Sequence, residues 1–179
     1  MTDITACLAR IKEDLDQAAR FERFLKNLTV LSHGKPVDEL VVLRTKLGIV
    51  NKALKAAEDA RLDCDSYIRE RNSECTDIRG RLPSIKSDIE SAKSGLNSAI
   101  AERDKDSAKT YFETYTQKLN LYDDLYKEYN QYVSEINTLN TEKKKCNSNY
   151  ESILEKHDAI LKTIQEYEIM KFGGAFVSS

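Results

Sequence analysis

The chain has 179 residues, of which 32% are charged, with no Trp and only 6 Gly and 2 Pro. So few turn-forming residues exclude an all-β fold and point to long helices in one folding unit. A formal net charge of -2 supplies no basic face for nucleic acid, and the one basic cluster, Lys143 to Lys145, reads as a solvated helix face.

The opening stretch MTDITACLARIKEDLDQAAR carries charges every few residues, unlike the apolar centre of a secretory signal. No segment approaches the roughly 20 apolar residues of a membrane span. These features lead to the expectation of a cytoplasmic protein with no membrane partner. Asn27-Leu28-Thr29 matches a glycosylation acceptor, a chance match where no secretion signal accompanies it.

A first helix is expected over about residues 3–31, capped by Thr2 or Asp3. Ile4, Leu8, Ile11, Leu15, Ala18 and Leu25 recur at helical spacing, and Phe21, Phe24 and Leu28 widen the stripe. A face this broad suits a helix lying against two others. Ser32 to Pro36 breaks the pattern, Gly34 suiting a helix end and Pro36 a helix start.

A rod is expected over about residues 37–103. From Leu40 the steps of three and four alternate through Leu47, Leu54, Arg61, Ile68, Cys75, Leu82, Ile89 and Leu96 to Arg103. Pro83 falls inside this run without disturbing its phase, so the spacing predicts a kinked or interrupted rod and not a reversal.

Asp104 to Ser107 marks a hairpin tip, with Asp106 or Ser107 as the cap of a third helix over about residues 107–171. Its expected seam runs Tyr115, Leu119, Tyr122, Tyr126, Tyr129, Val133, Ile136, then a stammer to Leu139, then Lys143, Cys146, Tyr150, Ile153, His157, Ile160, Ile164 and Tyr167. Residues 173–179 form a non-helical tail.

Folding the third helix back on the rod pairs Leu40 with Met170, Val50 with Ile160, Ala57 with Ile153, Cys64 with Cys146, Ile85 with Leu125, and Ala99 with Phe112. The first helix then covers the base, where Val41, Ile49, Leu154 and Leu161 offer a second stripe. The expected architecture is all-α: an elongated antiparallel coiled-coil hairpin with an N-terminal helix on its base, three helices at the base and two in the arm. One domain, 1–172, is expected.

Chemistry is not expected. Cys7, Cys64, Cys75 and Cys146 lack CxxC spacing, which argues against a zinc or thioredoxin-like motif. His33 and His157 are the only imidazoles, too few for a metal set built around Cys64 and Cys146. No Gly-rich phosphate loop, HExxH or GxSxG is present. The expectation is a non-enzyme with no cofactor, no metal and no small-molecule substrate.

Two residue groups are candidates for partner contact or motion. Tyr111, Tyr126 and Tyr132 exceed what a two-helix seam needs, and exposed Tyr is a favoured anchor in protein interfaces. Phe176 in the tail is a candidate docking residue. Arg61, Arg71 and Lys143 occupy seam positions, where unpaired charge is costly. Arg71, Pro83, Leu139 and Lys143 therefore mark an expected hinge.

The expected function is that of a structural or assembly protein, a scaffold, bridging or decoration component of a larger protein complex such as a viral or other macromolecular particle, with self-association. The alternative is a regulatory adaptor or secretion-type chaperone that captures a client helix in its open seam.

Overall fold

The computed structural model describes residues 1–28 and 38–172, and among them the chain is all-helical with no strand. Three helices follow in order: α1 (Ile4–Lys26), α2 (Glu39–Ala101) and α3 (Lys105–Phe172). The expected loop at Gly34 and the tail with Phe176 lie outside the described residues. Two compact units divide the chain, one of residues 1–67 with 139–179 (unit 1), the other of residues 68–138 (unit 2).

The ends of the helices follow from local chemistry. Asp3 stands at the α1 N-cap with extended backbone, yet its side chain makes no capping hydrogen bond. α1 stops at Lys26, earlier than expected, where Asn27 leaves helical geometry and its N–H still bonds the Arg23 carbonyl. Asp38 caps α2: its Oδ1 accepts from the Leu40 N–H at 3.0 Å.

α2 ends in a Schellman closure, with Asp104 N–H donating to the Ala99 carbonyl at 2.9 Å and Arg103 N–H to that of Ile100 at 3.1 Å. Arg103 takes the left-handed position, φ 59°, which usually falls to Gly. The cap of α3 is Asp104, not Asp106 or Ser107. Its carboxylate accepts from both the Ser107 N–H and the Ser107 hydroxyl, at 3.1 and 2.6 Å.

Pro83 does not interrupt α2. It removes the N–H that would reach Arg79, but both residues are exposed, so water can satisfy the carbonyl left without that partner.

Unit 1 builds its core from all three helices. Ala18 of α1 packs with Val50, Ala53, Ala56 and Ala57 of α2 and Ile153 of α3, flanked by Phe21, Leu25, Leu54, Tyr150 and Ile160. The small residues let helix backbones approach closely. Of the stripe expected to receive α1, Ile49 is buried but Val41 is exposed; the alanines Ala53, Ala56 and Ala60 are buried instead. Arg10 with Asp63, and Glu22 with Lys156, tie α1 to α2 and to α3.

Further ion pairs join α2 and its cap to α3 within unit 1: the cap Asp38 with Lys171, Arg44 with Glu168, and Asp65 with Lys143. Arg61, expected as an uncompensated seam charge, lies 4.1 Å over the Tyr150 ring. Met170, expected against Leu40, is exposed.

Unit 2 draws its core from α2 and α3 alone. Cys75, Ile78 and Ile85 pack with Leu125 and Tyr132, and Leu82, Ile89, Tyr122, Tyr129 and Ile136 complete the cluster. Lys118 with Asp88 and Arg79 with the Tyr129 hydroxyl flank it. In α2 every expected seam position of this unit, from Arg71 through Ile78, Ile85 and Ala92 to Ala99, is buried or half-buried.

In α3 the phase differs from expectation. Leu125 and Tyr132 are buried, whereas Tyr126 and Val133 are exposed. The inward positions are thus Tyr122, Leu125, Tyr129, Tyr132, Ile136, Leu139, Lys143 and Cys146, alternating steps of three and four without a stammer.

Candidate functional site

Moving the α3 seam by one position leaves a second apolar row uncovered. Phe112, Leu119, Tyr126 and Val133 stand seven residues apart, which returns each to the same helix face every two turns. Leu119 is half-buried, Val133 exposed, and Phe112 and Tyr126 are 57% and 51% exposed. Phe112, expected to fill the seam opposite Ala99, belongs to this row.

Tyr126 stacks on Tyr122 of the seam, with centroids 6.4 Å apart and planes within 6°. Tyr111, also exposed, lies across α2 at Gly95, where an added Cβ would collide with its ring. Gly95 is therefore the notch that seats Tyr111 against the neighbouring helix.

Tyr132 does not join this surface. It is 7% exposed, its hydroxyl donates to Glu128 at 2.8 Å, and burial followed by that carboxylate pushes its phenol up to about 12. The expectation that Tyr132 is an exposed contact residue is corrected: it is a seam residue, in the phase occupied by Leu125 and Leu139.

Of the expected hinge residues, Arg71 and Leu139 are buried, Lys143 is half-buried and Pro83 is exposed. Arg71 is 1% exposed and its Nε donates to Glu135 Oε2 at 2.5 Å, while Nη1 stands 3.3 Å from Glu70. Gln131 donates to the other Glu135 oxygen at 3.0 Å, and the Tyr132 ring lies 6.0 Å from the guanidinium carbon. The Arg71 charge, expected to be unpaired at its seam position, is compensated. Leu139 is fully buried in unit 1, and Lys143 reaches Asp65 at 2.5 Å.

His157 is half-buried beside Asp158, with Nδ1 2.9 Å from Oδ1. Among the described residues no group of three or more His, Cys, Asp or Glu is placed to hold a metal ion. Among the same residues no helix is long and apolar enough to cross a membrane.

Glu135 and Gly95 escaped sequence reasoning. Glu135 lies one position outside the stripe, and only the fold brings it to Arg71. The seven-residue recurrence of Phe112, Leu119, Tyr126 and Val133 was visible, but was absorbed into the core. Compared with known proteins, the chain matches no protein family, no curated protein and no solved structure.

Proposed function

We propose that this chain is a non-enzymatic structural or assembly protein whose α2 and α3 pair as an antiparallel coiled-coil hairpin, and which scaffolds or bridges a larger protein complex through self-association. The observation that carries the reading is the row Phe112, Leu119, Tyr126 and Val133 on α3, exposed at all but the half-buried Leu119. A coiled-coil helix that has satisfied its own seam and still repeats apolar residues every seven positions offers a second seam to another helix. Tyr111 adds an aromatic group on the same unit.

Light scattering across a concentration series of the full chain tests the reading. Oligomers that grow with concentration are expected, and Tyr126→Lys, at an exposed position, should reduce them without loss of helical circular dichroism. A mass that stays monomeric at every concentration would overturn self-association and turn attention to capture of a client helix.

A further inference from the structure

The assembly reading makes no use of Cys64 and Cys146. They come from α2 and α3 within unit 1, both are fully buried, and their sulfurs stand 3.6 Å apart. This is contact between two thiols from helices distant in sequence, and closing it to a bond of about 2.05 Å requires only a small approach.

Of the other two cysteines, Cys7 has its Sγ 3.9 Å from the Thr2 carbonyl, and Cys75 packs in the unit 2 cluster with Ile78. The neighbouring layers are also unusual for a seam. Arg61 on Tyr150 lies to one side, and Lys143 with Asp65 to the other. Polar layers give up less apolar burial when they part than leucine layers do, so they favour local opening at the thiols.

We infer that Cys64 and Cys146 form a redox-active dithiol, a site of reversible disulfide modification by low-molecular-weight disulfides such as glutathione disulfide. The step balances. One cysteine, as thiolate, attacks the glutathione disulfide and expels a glutathione thiolate, leaving a mixed disulfide. The second cysteine then attacks the protein sulfur of that mixed disulfide and expels the second glutathione thiolate. Each cysteine gives its proton to water, each glutathione thiolate takes one up, and two electrons pass from the cysteine pair to the glutathione disulfide.

The hydrogen bond between the two sulfurs pushes the Cys64 thiol up and the Cys146 thiol down. Both sulfurs are fully buried, so reaction proceeds through local opening, and its rate reports how often this part of unit 1 parts. The bond, once made, closes the chain between α2 and α3 and restricts the unfolded state.

The test uses the full chain in glutathione buffers from reducing to oxidising, quenched with acid, alkylated and mapped by peptide mass. A Cys64 to Cys146 cross-linked peptide is expected as the dominant oxidised species. It should form at a glutathione ratio about tenfold less oxidising in the folded protein than in urea, the shift that follows when a bond also stabilises the fold. It should revert on adding reduced glutathione. The double variant Cys7→Ala, Cys75→Ala keeps the pair and should titrate at the same ratio. Thiols that stay free throughout, cysteines that carry only glutathione, or a dominant bridge to Cys7 or Cys75 would each overturn the assignment.

Discussion

Arg71 of α2 and Glu135 of α3 are buried together in unit 2, the guanidinium Nε donating to a carboxylate that is itself only 8% exposed. Removing Glu135 leaves the buried guanidinium without its closest carboxylate, with only Glu70, 3.3 Å from Nη1, as a charged partner. Glu135→Ala should therefore cost about 3–5 kcal/mol, read as a lower urea midpoint. Replacing both residues by apolar ones of similar size should recover most of that loss. If Glu135→Ala costs less than about 1 kcal/mol, the pair is solvated and the account of the unit 2 core fails.

Arg103 closes α2 with a positive φ, a conformation that costs a side-chain-bearing residue roughly 1 kcal/mol. Arg103→Gly should stabilise the chain by about 0.5–1 kcal/mol, since no Cβ then opposes the turn. Asp104→Ala, which removes both acceptors from Ser107, should have the opposite sign and about 1 kcal/mol in size. Thermal unfolding of the two variants side by side would decide the matter.

The three glycines inside the helices differ in what surrounds them. Space around Gly48 and Gly80 is open, whereas Tyr111 fills the space at Gly95. Gly48→Ala and Gly80→Ala should each add about 0.5–1 kcal/mol through helix propensity alone. Gly95→Ala should fall short of both, because the Tyr111 ring must leave its seat, and Tyr111 fluorescence should change in that variant only. Equal gains at all three positions would remove the notch from the description of Tyr111.

Carboxylates shifted in opposite directions shape the acid limb of stability. The Asp14 pKa is raised, first by burial and then by Asp63 and Asp59, and its Oδ2 is buried without a hydrogen-bond partner. A raised folded value means that stability is fully present below the unfolded value and is lost as pH rises through the folded one. Asp38, held by the Lys171 ammonium, and Asp104, held by Ser107, are lowered. Their contribution is present above the ordinary value near 3.8 and disappears as pH falls through their lowered values. Asp14→Asn should accordingly raise the melting temperature at neutral pH while leaving the loss in strong acid in place. A variant no more stable than the parent at neutral pH would show that Asp14 is well solvated.

Which parts of this fold could be read from the chain follows from how each residue type reports its surroundings. The α2 pattern was legible in unit 2 because Ile78, Ile85, Ile89 and Leu96 have few alternatives to burial. α3 was harder, since Tyr122, Tyr126, Tyr129 and Tyr132 are each at home in a core or in water, and tyrosine alone does not set a phase. Leu125 carried the correct phase but was outweighed by Leu119 and Val133. The alanines that receive α1 are equally good exposed helix formers, which hid Ala53, Ala56 and Ala60. Arg71 drew notice as a misplaced charge, but its partner Glu135 is 64 residues away, and no local rule reaches that far.

The division of the chain also bears on the order in which it folds. Unit 2 is continuous in sequence from Ile68 to Thr138, and its two helical segments are joined by the tight turn at Arg103. Unit 1 unites residues 1–67 with residues from 139 onward, so its pairings span the whole of unit 2. Nucleation near the turn followed by zipping away from it closes one short loop at a time. Starting in unit 1 would close a long one first, at greater entropic cost. The kinetic nucleus should thus lie beside Asp104, with the alanine-lined core around Ala18 consolidating last.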